Sequence, residues 1–186
     1  MQNMDELIEK LYLDTQLSIE EIPDIDLYMD QVIQLFENKF SQTKRNAEEK
    51  ILTKTMINNY AKGKLFFPVK NKKYSKEHIM LISMIYQMKS SLSINDIKKT
   101  LSRLNKKVTE EEFSLEEIYN TYITSNERNV EQFKKDTLKI NNAIEDKMVD
   151  DKGEEYLRKL LLVASFTHMS NLFRRAAEKI VDEIEE

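Results

Sequence analysis

Apolar residues recur along the chain at helical spacing, and polar segments separate these runs. In the N-terminal part, Leu7, Ile8 and Leu11 predict a helix over residues 3–13. A second helix is predicted over residues 26–40, after a break at IPDID. Its predicted inner stripe consists of Leu27, Val32, Leu35, Phe36 and Phe40. The polar stretch SQTKRNAEE predicts a loop after this helix.

The middle of the chain predicts a short helix followed by a hairpin. Thr53 is a good N-cap for a helix over residues 54–62, and Gly63 is expected to end it in the left-handed conformation. LFFPV and KYS flank the stretch KNKK, which predicts a small two-stranded hairpin with Asn71 in its turn. Pro68 suits an edge strand, since proline has no N–H to donate to a sheet.

Two further helices are predicted after the hairpin. Ser75 is expected to cap a helix over residues 76–90, and SKEH resembles a capping box. Ser93 is expected to cap the next helix. The inward positions of that helix are predicted to be Ile94, Ile97 and Leu101. His78 lies near the start of the first of these helices, where we expect its imidazole to be solvated.

The C-terminal part has a different pattern, close to a heptad seam. The spacing predicts a long helix over residues 115–148, a break around Gly153 and a last helix over residues 154–184. The seam residues are Tyr119, Tyr122, Asn126, Val130, Phe133, Thr137, Ile140 and Ile144. The last helix is apolar on most sides between residues 156 and 166, so we expect it to be buried.

Composition supports a mainly α fold. The chain has 186 residues and contains two glycines and two prolines, far fewer than turn-rich β architectures need. The length suits one domain or two small ones. Without cysteine there is neither a disulfide framework nor a thiolate metal site. An acidic N-terminus and the lack of about 18 uninterrupted apolar residues lead us to expect a cytoplasmic protein, not a membrane protein.

Charge is strongly segregated along the chain. Residues 44–108 contain 16 Lys and Arg but 4 Asp and Glu, a local charge of +12. The remainder carries −16, so the net charge of −4 conceals the basic segment. Such a local excess predicts a polyanionic partner. The competing interpretation, a solvated lysine face without a partner, stays open at this point.

The order of elements in the basic segment is that of a winged helix-turn-helix. In that arrangement the second helix enters the major groove of DNA, and the hairpin, or wing, lies along the backbone. The polar residues available on helix 54–62 are Lys54, Thr55, Asn58, Asn59 and Lys62. Asparagine can pair with adenine, and lysine can reach guanine or a phosphate. Lys70, Lys72 and Lys73 are predicted to neutralise phosphates from the tip of the wing.

The stretches TKTMINNYAKGKLFFP, KKYSKEHIMLI and LSINDIKKTL resemble the DNA-binding half of the MerR group. The matching positions are Tyr60, Leu65, Pro68, Tyr74, Ser75, Ser93, Ile94 and Ile97. Asn59-Tyr60 stands where that group usually has Arg-Tyr, and loop 41–52 is longer than a compact turn. The resemblance implies a MerR-like winged helix. Tyr60 joins the predicted DNA-contacting set through a hydroxyl–phosphate bond, with its ring beneath the wing.

IPDIDLYMDQV and ILTKTMINNYAKGKL also resemble an uncharacterised bacterial family known as domain of unknown function 1836, over roughly residues 20–125. We predict a winged-helix DNA-binding domain with N-terminal helices over residues 1–112. Residues 113–186 are predicted to form a helical dimerisation or regulatory region. The predicted function is sequence-specific binding of double-stranded DNA by a homodimeric transcriptional regulator without a cofactor.

Other classes of function remain alternatives. His78 and His168 lack metal-ligand spacing, no glycine-rich loop cradles phosphate, and we predict no enzyme. His168 is expected to lie in a packed helix. A helical protein–protein interaction module without DNA binding, or RNA binding by charge alone, would fit the same composition. The seam is expected to form the dimer, although it could instead pack inside the monomer against helix 154–184. The sequence identifies neither the DNA target nor an effector.

Overall fold

The computed structural model describes residues 4–111, 113–147 and 154–185. The expected mainly helical fold with a small two-stranded antiparallel sheet is confirmed. The helices are α1 (Met4–Glu9), α2 (Met29–Phe40), α3 (Lys54–Lys62), α4 (Lys76–Met88), α5 (Ile94–Glu110), α6 (Leu115–Glu145) and α7 (Glu154–Glu183). The strands are β1 (Leu27–Tyr28) and β2 (Lys73–Tyr74). Short 3₁₀ turns occupy Ile19–Glu21 and Ser41–Thr43.

The described chain divides into two compact units. The larger unit contains Thr15–Thr124 and the described part of Glu178–Glu186. The smaller unit contains the described residues up to Asp14 together with the described residues of Ser125–Ala177. These boundaries differ from the predicted division into residues 1–112 and 113–186, because the N-terminal helix α1 clusters with the C-terminal helices.

The larger unit is built around α4, which is buried on nearly all sides. Its innermost side chains, all fully buried, are Ile79, Met80, Leu81, Ile82 and Ile85. Helices α2, α3 and α5 pack their apolar faces against this centre through Phe36, Ile57 and Ile97. The start of α6 closes the core with Tyr119, whose hydroxyl donates to the Leu17 carbonyl at 2.7 Å. The core therefore uses the predicted inner faces of α2 and α3, and Ile97 and Leu101 of α5. Ile94 was also predicted to point inward, but it is exposed at the first turn of α5.

The strand pairing differs from the predicted hairpin. Strand β2 pairs in antiparallel register with β1, through Leu27 opposite Tyr74 and Tyr28 opposite Lys73. The segment LFFPV forms no strand, and its contact with β2 is reduced to one bridge between Lys70 and Lys73. A proline in that segment cannot donate to a ladder, whereas β1 buries its leucine beside Tyr74. Leu27 and Tyr28, which were predicted as part of helix 26–40, thus belong to a strand.

The end of α3 also differs from the prediction. Gly63 has an ordinary φ of −69°, and the left-handed residue is Lys64, with φ of 57°. The Leu65 N–H donates to the Tyr60 carbonyl and the Lys64 N–H to the Ala61 carbonyl, which is a Schellman motif. A Cβ at Gly63 would lie 3.2 Å from the Asn59 carbonyl oxygen and 3.3 Å from Ile94. The close approach of these two neighbouring atoms is therefore what favours glycine at position 63.

The smaller unit has a limited core, formed by α1, the second half of α6 and α7. Its buried apolar side chains are Met4, Ile8 and Leu162, with Leu138, Ile140, Ile144 and Phe166 packed against them. Arg158 of α7 pairs with Glu145 at 2.8 Å and donates to Asn141 at 2.5 Å. The predicted break at Gly153 lies outside the described residues.

Part of the predicted seam of α6 packs within the protomer, whereas its residue Phe133 is exposed. Tyr119 is fully buried in the core of the larger unit, and Thr137 is buried within the smaller one. Ile140 and Ile144 are partly buried against the core of the smaller unit. The expectation of a buried α7 is wrong, because the large apolar side chains along this helix are mostly exposed. His168 is helical but exposed, so its predicted packing is also wrong.

Replacing Lys64 by glycine is expected to raise the free energy of unfolding by about 1 kcal/mol. Glycine adopts a positive φ without the contact between Cβ and carbonyl oxygen that other residues suffer. Urea unfolding followed by circular dichroism measures the change. Lys62→Gly serves as the control, because this residue has the helical conformation and glycine there should lower stability. An equal loss in both variants would contradict the assignment of strain to Lys64.

Candidate nucleic-acid interface

Helix α3 is fixed by its cap and by its inner face. The Thr53 hydroxyl accepts a hydrogen bond from the Met56 N–H at 3.1 Å, so the predicted N-cap is confirmed. Ile57 and Tyr60 are buried and orient the helix on the core. The bounds Lys54–Lys62 are those predicted from the sequence. The opposite face of the helix therefore has a fixed orientation and faces solvent.

That outer face brings together the polar residues predicted on α3. The exposed members are Lys54, Thr55, Asn58, Asn59 and Lys62. Lys54 Nζ contacts Asp30 of α2 at 2.8 Å, and both side chains are largely exposed. Within the described part of the chain, the two asparagine amides form no hydrogen bond, and each carries both donor and acceptor atoms. Such a face can form paired hydrogen bonds with base edges.

The three lysines of the predicted wing lie on a tight turn, residues 70–73, which we call the lysine turn. Asn71 and Lys72 both have left-handed backbone angles, with φ of 51° and 58°. The Lys73 N–H donates to the Lys70 carbonyl at 2.9 Å, which closes the turn. Two central residues with positive φ are typical of a type I′ turn. Lys70 and Lys72 are exposed and Lys73 is partly exposed.

The start of α2 connects the lysine turn with α3. Tyr28 lies opposite Lys73 in the ladder, and Lys73 Nζ is 5.2 Å from the centre of the Tyr28 ring. Asp30, two positions further, holds Lys54. Two residues of chain span at most about 7 Å. One short stretch therefore anchors a lysine from each of the two predicted contact elements.

Ion pairing leaves a positive surface on these elements. Several lysines of the basic segment are compensated by carboxylates, among them Lys44 by Glu37 and Lys107 by Glu111. Within the described ranges, no carboxylate lies within ion-pair distance of Lys62, Lys64, Lys70 or Lys72. These four charges therefore face solvent without local neutralisation.

Tyr60 does not belong to this exposed surface. Its ring is buried in the core of the larger unit, and its hydroxyl is enclosed. No hydrogen-bond partner reaches that hydroxyl within the described part of the chain. Burial raises the pKa of Tyr60 to about 12. The predicted hydroxyl–phosphate bond is inconsistent with this position, because helix spacing turns Tyr60 inward beside Ile57.

His78 is buried, so the expectation of a solvated imidazole is wrong. Its Nδ1 accepts from the Ser75 N–H at 3.1 Å, and its Nε2 lies 3.1 Å from the Phe67 carbonyl, to which it donates. The histidine thus takes the place of the glutamate of a capping box. Burial lowers the pKa of His78, although the hydrogen bond to Phe67 opposes this effect. The imidazole fastens the segment before the lysine turn to the start of α4.

An open pocket of about 780 Å³ lies beside the lysine turn. Phe67, Val69 and Met80 line its apolar side, and Asp26 and Glu77 contribute carboxylates. Its volume is within the range of small-molecule sites. The mixed lining does not select one class of ligand.

Two residues of this surface were not identified from the sequence. Tyr28 is more than half exposed and touches Lys73, and Asp30 pairs with Lys54. The sequence contains a weak signal for them, since LYMD follows the break at IPDID and precedes an amphipathic helix. Their partners are distant in sequence, so spacing alone does not connect them.

No helix in the described ranges is sufficiently long and apolar to cross a membrane. No three His, Asp or Glu side chains in the same ranges are grouped so that they could hold a metal ion.

The model of one protein family, described as Domain of unknown function (DUF1836), matches residues 17–122. This range contains β1, the helices α2 to α5 and the lysine turn. No curated protein and no solved structure matches the chain.

Replacing Tyr60 by phenylalanine is expected to raise the free energy of unfolding by about 1 kcal/mol. The change removes an enclosed hydroxyl that lacks a partner and leaves the apolar ring in place. Urea unfolding measures this effect, and titration with duplex DNA should show unchanged affinity. A folded variant with weaker DNA binding would contradict the buried position of the hydroxyl.

Acidification from pH 7 to pH 5 is expected to lower stability through His78. Its folded pKa lies below the usual value of about 6.5, so the unfolded state takes up the proton first as the pH falls. The stability is retained above about pH 6.5 and lost below it. Urea unfolding between pH 5 and 7 should give a flatter pH dependence for His78→Gln. Carboxyl groups with a lowered pKa, such as Glu21, change the free energy of unfolding only below about pH 4.5. Equal slopes for the two proteins would contradict this role.

Proposed function

The chain belongs to the family described as Domain of unknown function (DUF1836), and we propose that it is a sequence-specific, double-stranded DNA-binding transcriptional regulator with a MerR-like winged helix-turn-helix. The family description supplies no activity. The proposed role is binding without catalysis or a cofactor, in the cytoplasm. The proposed DNA-contacting residues are Lys54, Thr55, Asn58, Asn59, Lys62, Lys70, Lys72 and Lys73.

One observation carries the proposal. An outward polar helix face and a lysine turn are both anchored at the start of α2, by Asp30 and Tyr28 respectively. Base-reading amides and phosphate-binding cations are the two kinds of group that specific DNA recognition combines.

The ion pair between Lys54 and Asp30 is compatible with DNA binding. An exposed pair of this kind contributes at most about 1 kcal/mol. A phosphate carries a full negative charge and can replace Asp30 as the partner of Lys54.

The proposed regulator acts as a homodimer. A single α3 covers few base edges, and two copies double the contacts and fix the spacing of half-sites. The alternative function, a helical protein–protein interaction module without DNA binding, is favoured by the exposed apolar side chains of α7. DNA binding by the lysine turn separates the two possibilities.

Replacing Lys70, Lys72 and Lys73 together by alanine is expected to weaken binding to all duplexes alike. Each lost phosphate contact should reduce the slope of log K against log salt concentration by about 0.9. Fluorescence anisotropy with labelled duplexes at several salt concentrations measures both quantities. The matched control is Lys135, Lys147 and Lys179 to alanine, which removes the same charge from exposed positions outside the basic segment.

Replacing Asn58 or Asn59 by alanine should act differently. The loss is expected to be about 1–3 kcal/mol on the cognate duplex and small on random duplexes, because base contacts carry the specificity. The cognate sequence is obtained by selecting from random duplexes with the wild-type protein.

If the triple lysine variant keeps the wild-type affinity and salt slope, the lysine turn is not a wing and the interaction-module alternative is favoured.

A further inference from the structure

The first part of α7 exposes a continuous apolar surface, which we call the Leu160 face. It consists of Tyr156, Leu157, Leu160, Leu161 and Val163. Tyr156 is 70% exposed and Val163 is 63% exposed. The spacing of Tyr156, Leu160 and Val163 places them on one side of the helix. Side chains of this size amount to an apolar patch on the order of 500 Å², which is the size of the largest, often functional, patch on a typical monomer.

The smaller unit lacks a core that would match its helices. Three apolar side chains are buried in its described part, whereas five on the Leu160 face remain in solvent. A helical unit of this size needs more apolar burial to offset the loss of chain entropy. Burial of the Leu160 face against an apolar partner would supply the missing contacts.

The charges beside the Leu160 face are compensated within the chain. Lys159 pairs with Glu155 at 2.7 Å, and Arg158 pairs with Glu145 at 2.8 Å. A partner on this face would therefore meet an apolar, locally neutral surface. Such a surface suits neither nucleic acid nor a strongly charged peptide, since both require uncompensated charge of the opposite sign.

We propose that the Leu160 face binds the same face of a second copy of this chain, in antiparallel orientation, with Leu160 on the two-fold axis. In this register Tyr156 faces the partner subunit's Ala164, and Leu157 faces the partner subunit's Val163. Large residues thus meet smaller ones, which allows the two helices to interlock. A two-fold interface has to be self-complementary, and this pattern about Leu160 meets that requirement.

The inference rests on the proposed function, because DNA binding is what requires two copies of α3. It extends that function by identifying the surface through which the two copies associate. It replaces the seam of α6 by the Leu160 face as the dimer surface. Its test is carried out without DNA, so that failure of DNA binding and failure of dimerisation are distinguishable. A dimer that does not bind DNA would contradict the proposed function and leave this inference supported.

Sedimentation velocity of the full chain provides the first measurement. The wild-type chain is expected to be a dimer at about 20 µM, and Leu160→Glu should weaken the association at least tenfold with an unchanged helical circular dichroism spectrum. Ile180→Glu is the matched control, because Ile180 is 64% exposed on the same helix but outside the face. A wild-type monomer, or a dimer that survives Leu160→Glu, would overturn the inference.

Cysteine cross-linking tests the register. The chain contains no cysteine, so single cysteines can be introduced without a background reaction. Leu160→Cys, on the two-fold axis, should form a disulfide-linked dimer under mild oxidation, because equivalent positions would meet. Ile180→Cys should remain mainly uncross-linked. Equal cross-linking at the two positions would overturn the proposed register, and a monomeric Leu160→Cys chain would overturn the interface.

Discussion

The ladder between β1 and β2 is the constraint on which the candidate surface depends. It has two residue pairs, and each pair has a separate role. Leu27 and Tyr74 are buried and attach the ladder to the core, whereas Tyr28 and Lys73 face outward. Such a short ladder would be unstable alone. His78 supports it from the other side, since the imidazole packs against the rings of Phe66, Phe67 and Tyr74 and holds the Phe67 carbonyl.

Local signals in the sequence were sufficient for much of the fold. The caps Thr53, Ser75 and Ser93 were each found at the start of the helix they predict, because a cap depends on residues within one turn. The partner of β2 was not predicted, since it lies more than forty positions away and the nearer segment looked equally suitable. For the candidate site, the exposed face of α3 followed from helical spacing. The contacts of Tyr28 and Asp30 did not, because they depend on tertiary packing.

The C-terminal helices illustrate what a heptad pattern leaves undetermined. The seam of α6 correctly indicated a buried side, but the same spacing suits a partner within the protomer or in another copy. Thr137 is buried inside the smaller unit, and Ile140 and Ile144 pack against its core, whereas Phe133 of the same seam is exposed. The clustering of α1 with these helices depends on non-local contacts, which no sequence pattern predicts. An apolar helix is likewise not necessarily a buried one, as α7 demonstrates.

Two of the left-handed residues are lysines, at positions where glycine would have the relaxed backbone. Lys64 and Lys72 both adopt positive φ, in a chain with two glycines. A glycine at position 72 would relieve backbone strain but remove an exposed cation from the lysine turn. At these positions the positive charge is therefore kept although the backbone conformation is strained. In evolutionary terms, these positions should resist the substitutions that improve stability, because stability and surface potential change there in opposite directions.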